Sequence, residues 1–170
     1  MGRMTDKQPT GQSLATTDGA LIQLSRSISH PVDRVWEFLT DSEQLGRWYG
    51  TYTGEPGSGE VSLTFVESPD QEGKVRIDDC SPSERLAVTL LDAPGGEWTL
   101  AVALEADSDK ATALTFTHTL TDFSGAGDIG PGWEYYLDRL EAALDDRDVE
   151  SVDWESFHPS MVEHYSVNPS

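Results

Sequence analysis

His118, Tyr52, Cys80, Arg26 and Asp79 are the residues whose types and settings suit chemistry. His118 lies in the stretch "TALTFTHTL". Alternation there puts it on one side with Leu114, Phe116 and Leu120, and puts Thr115, Thr117 and Thr119 on the other. A histidine aimed at an apolar interior is either a hydrogen-bonded core group or a proton donor and acceptor for a bound molecule. Tyr52 offers a hydroxyl able to orient a ligand, and with His118 it could supply acid–base roles. Arg26 and Asp79 each fall on an otherwise apolar strand face. A lone buried charge is strongly unfavourable, so they are expected as a buried polar pair, with a ligand carboxylate as the other partner for Arg26. Cys80 is the one cysteine. One sulfur makes neither an internal disulfide nor a thiolate cluster, and no base neighbours it in sequence. The four histidines, His30, His118, His158 and His164, stand at no metal-ligand spacing. No metal and no cofactor is expected, and no phosphate-loop, dinucleotide or nucleophile-elbow motif is present.

The elements that must position these residues follow from periodicity. "ALIQLSRSI" alternates, with Ile22, Leu24, Arg26 and Ile28 on one face. "HPVDRVWEFLTDSEQLGRWYG" then reads as two short helices. Pro31 suits a first turn, and Val32, Val35, Trp36 and Leu39 share a face. Asp41 or Ser42 caps the second helix, which carries Leu45, Trp48 and Tyr49. Beyond Thr51 the chain reads as about five or six strands joined by tight polar turns, an antiparallel meander with one dry face. After the Gly-rich "TDFSGAGDIGPG" comes a long helix from Trp133, with Pro131 near its start. Its stripe is Trp133, Tyr136, Leu137, Leu140 and Leu144.

A curved sheet with one apolar face needs a cover, and the long helix is the natural one. The expected fold is α+β: a curved antiparallel sheet wrapped around the C-terminal helix, with two short helices after the first strand. Residues 1–19 are expected as a disordered arm, 20–148 as the domain, and 149–170 as a partly packed tail carrying Trp154, Phe157, Met161 and Tyr165. Space left between sheet and helix would be lined by Trp48, Tyr52, Phe65, Trp98, Phe116, His118, Trp133 and Tyr136. Trp48, Tyr49 and Tyr52 would close one end of it. Trp36 would anchor the first short helix in the core.

The charge narrows the partners. The 170 residues hold 11 basic and 31 acidic side chains, a net charge of −20. That field repels phosphate, so nucleic acid and anionic membrane surfaces are poor candidates. No apolar run reaches membrane-span length and no signal core is present, so a cytoplasmic location is the expectation. The acidic surface or the aromatic tail remains as a docking surface for a protein partner.

Three motifs in order carry a resemblance. They are Pro31, Val35, Trp36, Leu39 to Asp41, Leu45 and Trp48 in the paired short helices, "LTFTHTL" at Leu114 to Leu120, and "GWEYYLDRLEAAL" at Gly132 to Leu144. Over Leu21 to Leu144 the chain resembles the START-like (SRPBCC, birch-allergen-like) superfamily. Its best fit is the branch named for the activator of the heat-shock-protein-90 ATPase, in the single-domain bacterial form. The resemblance implies the helix-grip fold and a histidine at position 118. Members bind lipids, hormones and polyketides, and some are cyclases or hydrolases. The eukaryotic cochaperones add an N-terminal domain for which this chain has no room before Leu21. The first expectation is therefore binding of a small hydrophobic or amphipathic molecule. The alternatives are an enzyme using His118 and Tyr52, and a chaperone-associated interaction protein.

Overall fold

The structure is a computed structural model that describes residues 9–17, 19–65, 68–93, 96–120, 125–158 and 160–166. Its core is one antiparallel sheet. In chain order the strands are β1 (Gly11–Thr16), β2 (Gly19–Ile28), β3 (Gly50–Thr53), β4 (Glu60–Phe65), β5 (Ser68–Ser81), β6 (Arg85–Ala93), β7 (Gly96–Ser108) and β8 (Ala111–Leu120). Across the sheet the order is β1-β2-β8-β7-β6-β5-β4-β3. The short helices α1 (Val32–Thr40) and α2 (Ser42–Leu45) lie between β2 and β3. The long helix α3 (Ala126–Leu144) follows β8, and α4 (Val162–Ser166) ends the described tail. This is the helix-grip α+β architecture expected from the sequence.

Alternation produces the dry face. In β8 the residues Thr112, Leu114, Phe116 and His118 are buried while their neighbours are partly open. The register sets Phe116 between Leu24 and Val102, and His118 between Ile22 and Leu100. Helix α3 lays Trp133, Leu137, Leu140 and Leu144 over this face. Burying each such side chain contributes about 1.5–3 kcal/mol.

In β5 the alternation is interrupted. The register jumps from Ile77↔Val88 to Asp79↔Ala87, so Asp78 is an extra residue in a β-bulge. Asp78 turns outward, accepting from Arg76 Nε at 2.7 Å and from the Thr89 hydroxyl at 2.7 Å. Past the bulge, Cys80 pairs with Leu86, and both meet the interior space described below. Asp79 consequently lies outside, 2.9 Å from Arg85 Nη1.

The expected Arg26–Asp79 pair is therefore corrected. Arg26 Nη1 meets Asp138 at 2.8 Å and Glu141 at 2.7 Å, and Nη2 meets Glu134 at 2.8 Å. All three acids lie on α3. Burial works against the charge of Arg26, but Asp138, Glu141 and Glu134 together hold the guanidinium above its ordinary pKa.

Two boundaries are also corrected. Residues 1–19 were expected as an arm, yet Gly11–Thr16 forms β1, paired along β2 from Gly11↔Leu24 to Thr16↔Gly19. Residues 1–8 lie outside the described residues. Helix α3 begins at Ala126, not near Trp133, and holds Pro131 within it. Its glycines serve packing. A Cβ on Gly130 would stand 2.2 Å from the Tyr165 ring, and one on Gly127 would stand 2.1 Å from the Ser166 hydroxyl. Only bare backbone lets α4 lie this close to α3.

The tail after Leu144 packs inward through Phe157, Met161 and Tyr165, each at most 1% exposed. Tyr165 donates to Glu134, whose carboxylate also accepts from Thr10 N and Oγ1 at 2.6 Å each. Ser13 donates to the Tyr165 carbonyl at 2.6 Å. The buried Glu134 thus ties β2, α3, α4 and the stretch before β1 together. Among the described residues no helix is long and apolar enough to cross a membrane.

Candidate functional site

Two interior spaces lie between the sheet and α3. The inner one, of about 210 Å³, is lined by side chains that are nearly all aliphatic or aromatic, including Leu100, Val102, Leu114 and Phe116 from the sheet and Leu137 from α3. It reaches the surface beside Leu39, Tyr52, Leu86 and Cys80, which are partly or largely exposed. The outer one, of about 500 Å³, lies toward the start of α3. It mixes Phe65, Trp98 and Tyr136 with Gln71, Lys74 and Asp128. Tyr49, Leu63, Val75, Leu90 and Trp133 line both, so the partition is one layer of side chains.

The local sequence explains how the aromatic wall is held. Asp41 caps α2 by accepting from Glu43 N at 2.9 Å. The chain then delivers Trp48 and Tyr49 inward. Trp48 is buried and donates Nε1–H to the Phe38 carbonyl at 2.8 Å. Arg139 of α3, itself buried, donates to the Trp48 carbonyl at 3.0 Å. Tyr49 packs edge-on against Phe65 at 5.4 Å and Tyr136 at 5.0 Å, and tilted on Trp133 at 5.8 Å. Burial pushes the Tyr49 phenol well above its ordinary pKa, so it stays neutral.

The structure divides the residues expected to line one cavity. Trp48, Tyr52, Phe116 and Trp133 border the inner space. Phe65, Trp98, Trp133 and Tyr136 border the outer one. His118 borders neither and is corrected. It is completely buried, with Trp98 at 4.8 Å and Trp133 at 6.2 Å between ring centroids. Trp133 donates Nε1–H to His118 Nδ1 at 3.0 Å, which leaves the ring proton on Nε2. Among the described residues Nε2 has no hydrogen-bond partner. Burial lowers the His118 pKa to about 4.

Tyr52 has a second assignment as well. Its hydroxyl donates to the Thr40 carbonyl at 2.5 Å, and its backbone amide donates to Ser42 Oγ at 2.9 Å. Tyr52 fastens β3 to the end of α1. Among the described residues that line the two spaces, no nucleophile, base and orienting carboxylate converge. Among the described residues no group of three or more His, Cys, Asp or Glu is placed to hold a metal ion. Tyr49, expected to close one end of the cavity, stands instead at the partition that the two spaces share. Its signal was available: it sits one and four places from Trp48 and Leu45, at the helix-to-strand junction.

The family model for Activator of Hsp90 ATPase homolog 1-like protein matches residues 29–145. The chain belongs to this family. The match runs from the turn before α1 to the end of α3, which is the span that builds both spaces. A search of curated proteins found no match. Among solved structures, CalU16 from Micromonospora echinospora superposes with a TM-score of 0.73 at 21% identity, covering 94% of this chain and 95% of that one. A conserved protein of unknown function, EF2215 from Enterococcus faecalis, gives 0.70 at 21% identity, covering 91% and 87%. DynU16, described as a protein in the dynemicin biosynthetic locus, gives 0.59 at 21% identity, covering 79% of this chain and 50% of that one. At these identities the likeness is one of fold.

Proposed function

We propose that the protein holds a small hydrophobic or amphipathic molecule between the sheet and α3. The observation that carries this reading is the inner space of about 210 Å³. Its lining is almost wholly apolar and it opens to the surface, so a hydrophobic guest can enter and bury apolar area there at about 25 cal/mol per Å². Ordinary ligand sites span about 300–1,000 Å³, a range that the two spaces together reach. A relative in fold is described as belonging to a biosynthetic locus, so a biosynthetic intermediate is within the ligand class.

The enzymatic alternative draws less support. His118 is set behind tryptophans and Tyr52 is engaged with Thr40. The chaperone-associated alternative rests on the family description. Of the apolar tail residues that would serve it, Phe157, Met161 and Tyr165 are packed into the chain's own core, while Trp154 stays exposed and stacks on His158 at 5.1 Å.

The test is a titration with the fluorescent dye 1-anilinonaphthalene-8-sulfonate, together with native mass spectrometry of protein purified from its own source. Saturable dye binding is expected, with a retained small-molecule mass, and Val88→Trp, which fills the inner space, should suppress both. Absence of saturable binding and of any retained mass would overturn the reading.

A further inference from the structure

Tyr49 is the buried polar group that faces the two spaces. Its side chain is 9% exposed, its ring borders both spaces, and among the described residues its hydroxyl has no hydrogen-bond partner. The hydroxyl is not sealed away as His118 Nε2 is, so a molecule held in the spaces can reach it. The ring is not free to turn away in search of a partner, because Phe65, Trp133 and Tyr136 pack around it. Floor and roof are both shared at this point: Leu63, Val75 and Leu90 rise from the sheet, and Tyr49 and Trp133 stand over them. The two ends differ in character. The inner end is apolar, whereas the outer rim carries Gln71, Lys74 and Asp128.

We propose that the two spaces are one bipartite site for an elongated amphipathic molecule with a carbonyl or hydroxyl oxygen at its waist, and that the Tyr49 hydroxyl recognises that oxygen. The apolar end lies in the inner space. The oxygen meets Tyr49 at the partition, and the more polar end extends toward the rim near Gln71 and Lys74. Tyr49 is then a specificity residue: it selects molecules with an oxygen part-way along an apolar skeleton over plain hydrocarbons of the same shape. The neutral phenol suits an uncharged oxygen, since it can both donate and accept. This inference rests on the ligand-binding reading above and goes further by naming the ligand's shape and the group that reads it.

A matched pair of probes tests it. The first is 6-dodecanoyl-2-dimethylaminonaphthalene, whose ketone joins a naphthyl ring to an alkyl chain and whose emission moves to the red when the ketone accepts a hydrogen bond. The second is its analogue with the ketone reduced to a methylene. The wild-type protein is expected to bind the ketone probe more tightly. Tyr49→Phe keeps the ring and its packing but removes the hydroxyl. It should weaken the ketone probe by about 3- to 10-fold, the worth of one hydrogen bond. It should also shift that probe's emission to the blue and leave the methylene analogue unchanged. Plugging either space, with Val88→Trp for the inner and Gly132→Phe for the outer, should weaken both probes. Circular dichroism of each variant confirms that it folds. If wild-type protein binds neither probe, the ligand-binding reading falls and this inference with it. If both probes bind but Tyr49→Phe affects them equally, or one plug has no effect, the bipartite site falls while the broader reading stands.

Discussion

Burial holds His118 neutral, with a pKa of about 4 against an ordinary 6.5. The folded ring therefore takes up a proton less readily than the unfolded one. Between pH 6.5 and about 4 the unfolded state binds more protons, so stability falls as pH drops through this window and is complete above it. His118→Gln should flatten the decline in melting temperature across that window relative to wild type. Long-range ¹H–¹⁵N spectra should show the Nε2–H tautomer, as the Trp133 donor at Nδ1 requires. Arg26 makes a second case. Its side chain is 8% exposed and Glu134's is 1% exposed, so Arg26→Met strands a buried carboxylate and should cost about 3–5 kcal/mol in chemical denaturation. Adding Glu134→Gln should recover much of that loss. Alternation alone marked Arg26 as out of place among Ile22, Leu24 and Ile28. It could not name the partner, because Glu134 is 108 residues away on another element. His118 was legible as an inward group, but its neighbours Trp98 and Trp133, which wall it off, are set by tertiary packing.

Helix α3 shows how two glycines two places apart have opposite meanings. Gly130 meets the Tyr165 ring, so Gly130→Ala forces apart α3 and α4 and should destabilise by about 1–3 kcal/mol. A Cβ on Gly132 meets nothing within 4 Å, so Gly132→Ala should stabilise by about 0.5–1 kcal/mol through helix propensity. Thermal denaturation of the pair gives opposite signs. The stripe Trp133, Leu137, Leu140 and Leu144 was readable from its spacing. The helix start was not: the run of Gly and Pro before Trp133 resembles a breaker, and only contact with α4 reveals it as a close-packing surface. The first short helix shows a similar gap. Its most buried residues are Val35 and Phe38, whose ring lies under Arg34 and Arg47 at 4.6 and 5.2 Å, while Trp36, expected as the core anchor, is only partly buried against the core.

At the scale of the whole molecule, the residues after α3 complete a core that the earlier elements leave open. Removing residues 149–170 withdraws Phe157, Met161 and Tyr165, each worth about 1.5–3 kcal/mol, and deprives Glu134 of its phenol partner. The truncated chain should lose on the order of 5 kcal/mol or more by urea denaturation, and an unchanged midpoint would show that the tail is dispensable. The overall architecture was legible because one-sided strands and a one-sided helix have few ways to cover each other. The division of the interior was not, because it depends on where single rings such as Tyr49 come to rest. The bulge in β5 has a consequence of another kind. That strand holds one residue more than its ladder uses, and the surplus is Asp78. A chain lacking Asp78 would keep Ile77 and Cys80 on their present side, whereas loss of Arg76 would turn Ile77 outward. At Asp78 the strand can shorten by one residue without exchanging its two faces.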